Sequence, residues 1–316
     1  MGLFDTHDSM EKYSESNSGA GIKYGLSCVQ GHRKEMQDDY NAVLGISPVA
    51  KNVSWFAVFD GHGGASVSKY CSKQLLESIK SHEELMEALK NEHQIGGKEL
   101  MKTIKKGIHA GFLDTDEKVR TVPGSKDTGS TAVCALITET HLILSNCGDS
   151  RAMICSRLTD NDGGMICKPV LTTVDHKPDT PSELERIRKA NGYMFNNRVR
   201  GVLGVSRSLG DFKYKKENKL SPTEQMVSPE PDFYMKLREH NIDEFIILAC
   251  DGVWDVMSLE EVCDYVYTQI RKPSKDLKSI AEEIVDLCLT KGSMDNITLV
   301  IIDLSPSSHH GNLSNE

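Results

Sequence analysis

Short apolar runs rich in β-branched and aromatic residues recur along the chain, each bounded by Gly, Asp, Asn or another polar residue. Runs of this kind are typical of strands. The segments that predict strands most clearly are "WFAVFD" (55–60), "STAVCALIT" (130–138), "HLILSNCGDS" (141–150), "EFIILACDG" (244–252) and "ITLVIIDL" (297–304).

Other segments repeat apolar residues at the three- to four-residue spacing of an amphipathic helix. This spacing predicts helices over 66–80 and 277–292, where Gly292 supplies a stop. "ELERIRKA" (183–190) is a third amphipathic segment. Because strands and helices do not alternate regularly, a doubly wound parallel sheet fits poorly. Grouped strands with helices packed outside them predict a mixed α+β fold.

The chain has 316 residues, which suits one large domain. Residues 1–20 are polar and rich in Gly and Ser, so we expect a flexible arm there. Residues 305–316 are polar and predict a disordered tail. No low-complexity linker or internal repeat separates these ends, and the remaining 21–304 are therefore expected to form one domain.

The composition is that of a globular protein, with 38% hydrophobic and 26% charged residues. The net charge of −9 argues against nucleic acid as a partner, because a phosphate backbone attracts a basic surface. No apolar run reaches the ~18 residues of a transmembrane segment. The start of the chain lacks the basic and apolar regions of a secretory signal.

The nine cysteines are odd in number and form no CxxC pair. Several lie in apolar runs, which indicates reduced, buried thiols and a cytoplasmic or nuclear protein. None of them is followed by Arg six positions later, so a cysteine nucleophile for phosphate chemistry is not expected.

Acidic residues stand at the ends of the predicted strands. Asp60, Asp149 and Asp251 each follow an apolar run, and Asp295 precedes one. Strand ends are rigid, so their carboxylates can converge, and converging carboxylates require a hard divalent cation. An isolated Asp-Gly is more often a hairpin turn, as expected for "DNDGG" (160–164). The metal site is predicted from the four acids together, in this order at the ends of predicted strands, and not from any one of them.

The same set resembles the type 2C metal-dependent serine/threonine protein phosphatase family, most of all its animal alpha/beta type. The resemblance runs from about residue 24 to 303. It rests on the stretches "YGLSCVQGHRKEMQDDY", "FAVFDGHGG", "DTGSTAVCALI", "NCGDSRA", "DHKPDTPSELERIRKANG", "RVRGVLGVSRSLGDFKYK", "PEPDF", "ILACDGVWDVMS" and "GSMDNITLVII".

The resemblance implies a central β-sandwich of two antiparallel sheets flanked by α-helices, with a binuclear metal site at one end. It also implies hydrolysis of phosphoserine and phosphothreonine on phosphoprotein substrates. The attacking group would be a hydroxide that bridges two Mg²⁺ or Mn²⁺ ions, and a third ion would bind more weakly. A monomer is the expected oligomeric state.

Residue roles follow from the same resemblance. Asp60 would bridge the two ions, the Gly61 carbonyl would join the first, and Asp251 and Asp295 would hold the second. Asp38 would act through metal-bound water.

The remaining ligands and catalytic groups are implied in the same way. Asp149 and Asp255 would form the third-ion site with Asp251. Arg33 would grip the phosphoryl oxygens, because its planar fork matches them. His62 would protonate the leaving alkoxide.

Two residues receive supporting interpretations. Asn296 follows the last metal-ligating Asp and would support the site. Arg186 lies in the stretch that matches the family's flap (175–211) and is interpreted as a contact to substrate protein. The alternative for Arg186 is an ordinary surface arginine on an amphipathic helix.

Two departures from the family pattern bear on these roles. Gln37 stands where close relatives have Glu, so a carboxylate of the metal–water network is absent and metal affinity is expected to be lower. Alpha-type relatives also carry a helical region after the catalytic domain, and this chain ends soon after Leu304. No contribution of that region is carried over.

Two other functions fit the sequence less well. A pseudophosphatase that only binds partners is disfavoured because the direct metal ligands are present. A nucleotide-handling enzyme is disfavoured because no GxxxxGK[ST] motif occurs and "IGGKEL" has Glu at the metal-coordinating position.

The N-terminal "MGLFDT" fits the pattern M-G-x-x-x-[ST], which makes Gly2 a candidate for N-myristoylation. One acyl chain gives only reversible membrane association, and no polybasic patch follows to reinforce it. The expected location is cytoplasmic, with nuclear or loosely membrane-associated protein as the alternatives left open.

Overall fold

The computed structural model describes residues 9–160 and 162–305. Gly2 and nearly all of the predicted tail over 305–316 lie outside them. The strands in chain order are β1 Ser9–Gly19, β2 Ile22–Gly31, β3 Asp39–Leu44, β4 Ser54–Phe59, β5 Gly61–His62, β6 Gly129–Ser130, β7 Ala132–Ile137, β8 His141–Cys147, β9 Arg151–Thr159, β10 Met165–Thr172, β11 Met194–Phe195, β12 Arg198–Val199, β13 Leu209–Gly210, β14 Asp232–Leu237, β15 Asp243–Ala249 and β16 Ile297–Asp303.

In the described part of the chain, three α-helices lie between residues 66 and 119, three lie between 251 and 290, and α4 lies between these two groups. The α-helices are α1 Ser66–Lys80, α2 Glu83–Lys90, α3 Gly97–Val119, α4 Pro181–Lys189, α5 Asp251–Trp254, α6 Leu259–Ile270 and α7 Leu277–Thr290. Short 3-10 turns cover Glu92–Gln94, Phe212–Tyr214 and Pro222–Glu224.

Two antiparallel sheets form the body of the molecule. One has the strand order β1-β2-β16-β15-β9-β10, and the other has the order β14-β8-β7-β4-β3. A small sheet, β13-β6-β5, lies beside the end of β4, and β11 pairs with β12. This arrangement confirms the predicted α+β fold with two antiparallel sheets and flanking helices.

The two large sheets and their flanking helices enclose three apolar layers. Between the sheets, Phe56 and Val58 of β4 pack with residues of β2, β15 and β16. On the other face of β4, Trp55, Ala57 and Phe59 pack against α1, α2 and α3. Successive residues of a strand point to opposite faces, so "WFAVF" is continuously apolar because both faces of β4 are buried. A third layer lies between the six-stranded sheet and α5, α6 and α7.

The prediction of a flexible arm over 1–20 was wrong for residues 9–19, which form β1. This strand pairs with β2 along most of its length. Its polar composition reflects its place at the edge of the sheet, where one face meets water. The side chains are held individually: the Lys12 ammonium lies 2.6 Å from Asp286, and the Tyr13 ring stacks on Tyr40.

The predicted helices over 66–80, 183–190 and 277–292 correspond to α1, α4 and α7 and are confirmed. The prediction of a hairpin at 160–164 is confirmed by the antiparallel pairing of β9 with β10.

Helix α3 is longer than any helix predicted from the sequence. Gly107 and Gly111 lower its intrinsic helix propensity. Their lack of a side chain allows close packing, because a Cβ at Gly107 would lie 2.7 Å from Leu85 and one at Gly111 would lie 2.4 Å from Ile79.

All nine cysteines are free thiols, and eight of them are buried, as the sequence predicted. None of the helices in the described part of the chain combines the length and the apolar character that a membrane crossing requires.

Candidate metal-binding active site

One end of the sandwich carries a cavity of about 550 Å³. It lies where β4 and β15 end and where β16 begins, beside the small sheet of β5, β6 and β13. The segment between β10 and β14 supplies another wall through Arg198 and 202–205. Acidic residues at its lining are Asp60, Asp127, Asp149, Asp211, Asp251, Asp255 and Asp295.

Three of these acids converge. Oxygen atoms of Asp60, Asp149 and Asp251 all lie within 4.8 Å of one another. Burial, followed by the charges of Asp38 and Asp251, raises the pKa of Asp60 well above its ordinary value. Burial and the charges of Asp149 and Asp295 raise the pKa of Asp251 to about 7. The acids therefore repel one another unless positive charge is added to the cluster.

Asp38 lies next to this cluster and is itself buried. Its carboxylate accepts a hydrogen bond of 2.7 Å from the Thr298 hydroxyl. Burial is the main cause that raises the pKa of Asp38 to about 7. Asp38 lines a separate small cavity rather than the main one, which places it behind the converging acids.

Asp295 joins the site through Arg33. The Arg33 guanidinium lies 2.5 Å from an Asp295 carboxylate oxygen, and the Arg33 side chain is 55% exposed. Both residues line the cavity. Arg33 therefore lies at the mouth of the cavity, and one of its terminal guanidinium nitrogens is paired with Asp295.

Asn296 anchors the loop that carries Arg33. Its side-chain amide donates hydrogen bonds to the carbonyls of Gln30 at 2.8 Å and Glu35 at 3.1 Å. Its amide oxygen accepts a 2.8 Å hydrogen bond from the Gln37 backbone N–H. The side-chain amide thus makes three hydrogen bonds to the backbone, and Asn296 fixes the 30–37 loop over the site.

Two glycines after Asp60 allow close backbone approach. A Cβ on Gly61 would lie 2.3 Å from the Gln37 carbonyl oxygen. Gly63 has a φ of +72°, and a Cβ there would lie 2.5 Å from the Asp127 carbonyl oxygen. Any larger residue would push the Asp60 loop away from its neighbours.

The His62 imidazole has a buried acidic partner that the sequence analysis did not identify. His62 Nε2 lies 2.6 Å from Asp211 Oδ2. Burial lowers the pKa of His62, but the charge and hydrogen bond of Asp211 outweigh it and raise the pKa above its ordinary value. Asp211 also accepts a 2.6 Å hydrogen bond from Ser208. The one available signal was its place in "SLGDF" at the end of the stretch that matches the family's flap, where no catalytic role was assigned to it.

Lys177 is a second residue of the site that sequence reasoning missed. Its ammonium lies 2.5 Å from an Asp149 carboxylate oxygen. Asp255 also lines the cavity, and burial is the main cause that raises its pKa. Lys177 thus brings a positive charge to the edge of the acidic cluster where Asp149 and Asp255 lie.

The structure does not bring Arg186 to the cavity, so its interpretation as a substrate contact was wrong. Its guanidinium is largely buried and lies 2.7 Å from Glu183. It also donates to the carbonyls of Ser206 at 2.5 Å and Gln225 at 3.1 Å. Arg186 therefore ties α4 to the rest of the segment that walls the cavity.

Glu183 is the centre of this buried ion cluster, and Arg207 is its second partner at 2.8 Å. Burial would raise the pKa of Glu183, but hydrogen bonds from Arg207 and the two arginine charges lower it to about 2. The stabilisation is present above the unfolded-state value of 4.5 and is lost as the pH falls toward 2.

We expect Glu183→Gln to destabilise the protein by about 3 kcal/mol at pH 7, because it leaves two buried guanidinium groups without their shared partner. Denaturant unfolding at pH 7 and pH 3 measures the effect, which should shrink at the lower pH. Glu185→Gln is the matched control on the same helix, since Glu185 makes only an exposed pair with Lys189. Equal destabilisation by both variants would contradict this assignment.

The cluster fits hard divalent cations. Its donors are carboxylate oxygens, the ligands that Mg²⁺ and Mn²⁺ prefer. Within the described residues, the converging set of Asp60, Asp149 and Asp251 contains no Cys or His. Added positive charge would offset the burial and the mutual repulsion that raise the carboxylate pKa values.

Comparisons with known proteins agree with this chemistry. The family model described as protein phosphatase 2C matches residues 22–297. Protein phosphatase 1B of Rattus norvegicus is 44% identical over 306 residues, which cover 96% of this chain and 75% of that protein. Protein phosphatase 1A of Homo sapiens is 42% identical over 306 residues, with 96% and 76% covered.

A solved structure shows the same fold. The crystal structure of serine-threonine phosphatase 2C from Toxoplasma gondii is similar with a TM-score of 0.76 and 21% sequence identity. The similarity covers 93% of this chain and 99% of that one.

Proposed function

The chain belongs to the protein phosphatase 2C family and is a metal-dependent protein serine/threonine phosphatase, and we propose here which of its residues perform the reaction. The observation that carries the proposal is the convergence of Asp60, Asp149 and Asp251 at the end of the sandwich. Phosphoproteins are the substrates.

We assign two Mg²⁺ or Mn²⁺ ions to Asp60, the Gly61 carbonyl, Asp251 and Asp295. Asp149 and Asp255 would complete a weaker third site with Asp251. When bound, such cations lower the pKa of a coordinated water and neutralise charge on phosphoryl oxygens. Within the cavity, the protein holds the acids at rigid strand ends, so they need no rearrangement.

Asp38 and Arg33 take the next roles in this proposal. Asp38, buried beside the cluster and held by the Thr298 hydroxyl, would accept a proton from water at the edge of the cluster. Arg33 is exposed at the mouth and pairs with Asp295 through one terminal nitrogen. The rest of its planar fork can bind two phosphoryl oxygens and orient the phosphorus toward the cavity floor.

His62 is proposed as the general acid. Its imidazole lines the cavity, and Asp211 holds Nε2. The raised pKa favours the protonated ring at neutral pH, so Nδ1 can supply a proton to the departing serine or threonine oxygen. Asp211 is proposed as a positioning residue, because its carboxylate is engaged by the imidazole and by the Ser208 hydroxyl.

The substrate class is tested with three phosphopeptides of one sequence that carry phosphoserine, phosphothreonine or phosphotyrosine. Phosphate release with Mg²⁺ or Mn²⁺ is expected from the phosphoserine and phosphothreonine peptides. Their alkoxide is a poor leaving group, so protonation by a general acid accelerates its departure most. Selective release from the phosphotyrosine peptide would contradict the proposal.

Gln37 offers a gain-of-affinity prediction. Its backbone is fixed by Asn296, and its side-chain amide donates a 2.5 Å hydrogen bond to Glu35. Gln37→Glu adds a carboxylate at the cavity wall, so we expect half-maximal activation at about tenfold lower Mn²⁺, the size of effect typical of residues around a metal site.

Activity is measured against Mn²⁺ concentration, and the metal-free variant should also unfold at a lower temperature because Glu35 and the new carboxylate repel. Gln269→Glu on α6 serves as a control, since that side chain does not line the cavity and accepts an exposed hydrogen bond from Lys272. An unchanged or weaker Mn²⁺ requirement in Gln37→Glu would contradict the role given to this position.

We further propose a monomeric, cytoplasmic enzyme whose Gly2 is N-myristoylated, as the motif "MGLFDT" supports. The acyl chain would give reversible membrane association. Mass spectrometry of protein made in a eukaryotic cell measures whether Gly2 carries a myristoyl group, and an unmodified Gly2 would contradict the proposal.

A further inference from the structure

A second group of metal-ligating side chains lies at the opposite end of the five-stranded sheet. It joins the turn after α2 to the β7–β8 turn. Ligand atoms of Glu92, His93 and Glu139 all lie within 4.8 Å of one another. None of these residues belongs to the phosphatase site.

Glu92 is the unusual member of this group. Its side chain is only 5% exposed, and both of its carboxylate oxygens are buried without a hydrogen-bond partner among the described residues. A buried carboxylate that lacks hydrogen bonds is costly, and proteins normally pair it or bind a cation to it. The basic side chain closest to it is the exposed His93, whose Nε2 lies 3.8 Å from Glu92 Oε1, and the charge of Arg238 also acts on Glu92.

Glu139 approaches the same imidazole nitrogen from the neighbouring turn. His93 Nε2 is within hydrogen-bond distance of Glu139 Oε2. Asn52 donates a 2.5 Å hydrogen bond to the other oxygen, Glu139 Oε1. His93 Nε2 thus has carboxylate oxygens of Glu92 and Glu139 near it, from two segments of the chain. Asn52 orients the Glu139 carboxylate, as residues that hydrogen-bond to metal ligands commonly do.

From this geometry we propose that Glu92, His93 and Glu139 form a second divalent-cation site, selective for Zn²⁺ over Mg²⁺. Imidazole with carboxylates is a ligand set that suits zinc, whereas Mg²⁺ favours oxygen ligands alone. His93 and Glu139 are 63% and 42% exposed, so an ion has access from solvent. A bound cation would neutralise Glu92 and join the two turns.

A further imidazole lies beside the site. His141 is buried, and its Nε2 has no hydrogen-bond partner in the described part of the chain. Its Nδ1 is held 2.8 Å from the Thr140 hydroxyl. Together with the two Glu92 oxygens, His141 Nε2 is therefore a third unpaired, buried polar atom in this region, which favours a polar occupant.

The proposed site is separate from the phosphatase centre. The Thr131 N–H bonds to the Asp60 carbonyl at the start of β7, and Glu139 follows the end of that strand. At about 3.3 Å per residue, the two sites are about 25 Å apart. Changes at one site should therefore leave ligands of the other in place.

The test is a count of Zn²⁺ ions bound per chain, by equilibrium dialysis against Zn²⁺ with excess Mg²⁺ present. We expect His93→Gln and Glu92→Gln each to bind one Zn²⁺ fewer than the wild type, or to bind that ion at least tenfold more weakly. Asp60→Asn should keep this ion, which separates the result from any failure at the phosphatase centre. His93 is exposed, so its variant should fold even if Glu92→Gln does not.

His82→Gln is the matched control, because His82 is a partly exposed histidine beside a single carboxylate, Asp114, at 3.1 Å. It should bind as much Zn²⁺ as the wild type. Equal zinc counts and affinities in the wild type, His93→Gln and Glu92→Gln would overturn the proposal and leave Glu92 as a buried carboxyl with no ion.

Discussion

Asp60→Asn is expected to lower turnover of a phosphothreonine peptide on the order of 10³-fold, because it removes the carboxylate at the centre of the acidic cluster. The same change should not unfold the protein. Burial and neighbouring acids raise the pKa of Asp60, so Asn relieves repulsion. The metal-free variant should melt at or above the temperature of the metal-free wild type.

Steady-state kinetics at saturating Mn²⁺ and thermal melts without metal measure the two effects. Asp127→Asn is the control, since Asp127 lines the same cavity but is 70% exposed and pairs loosely with Lys213 at 3.6 Å. It should change turnover by about twofold at most. Wild-type turnover in Asp60→Asn would remove Asp60 from the reaction.

His62→Gln should discriminate between leaving groups. On a phosphoserine peptide we expect a loss of about 10²–10⁴-fold, the usual contribution of a general acid. On an aryl phosphate the loss should be much smaller, because a phenolate leaves without needing a proton. The ratio of the two losses is the measurement, and it does not depend on how much enzyme is active.

Equal losses on the two substrates would remove His62 from the general-acid role. Asp211→Asn gives an independent check, because it leaves the imidazole in place but weakens the contact at Nε2. A positioning role predicts the same preference for loss on phosphoserine, with a smaller magnitude.

The converging acids could be predicted from the sequence because local patterns place them. Asp60, Asp149 and Asp251 each follow a continuous apolar run, and such runs become strands buried on both faces. Rigid strand ends then bring the acids to one edge of the sandwich. The family resemblance added roles to residues such as Arg33 that a charged surface segment alone would not single out.

The partners of these residues could not be predicted, because they depend on long-range packing. Asp211 lies 149 positions from His62, and it meets the imidazole only because β13 pairs with β6 and β6 with β5. Lys177 reaches Asp149 in the same way from the segment that walls the cavity. Neither residue stands in a local pattern that distinguishes it from an ordinary surface charge.

Arg186 shows the opposite error. Its helix has a polar, charged sequence that is typical of an exposed surface, and the family's flap suggested a contact with substrate. The structure instead buries its guanidinium against Glu183 and two backbone carbonyls. Local amphipathicity could not show that a second part of the chain covers the polar face of α4.

The most direct test is phosphate release from a phosphothreonine peptide by enzyme stripped with EDTA and then titrated with Mn²⁺ or Mg²⁺. An acidic cluster that works only with bound cations predicts no turnover after stripping and full recovery with added metal, at a concentration that Gln37→Glu lowers. Undiminished turnover by the stripped enzyme would contradict a catalytic role for cations held by Asp60, Asp251 and Asp295.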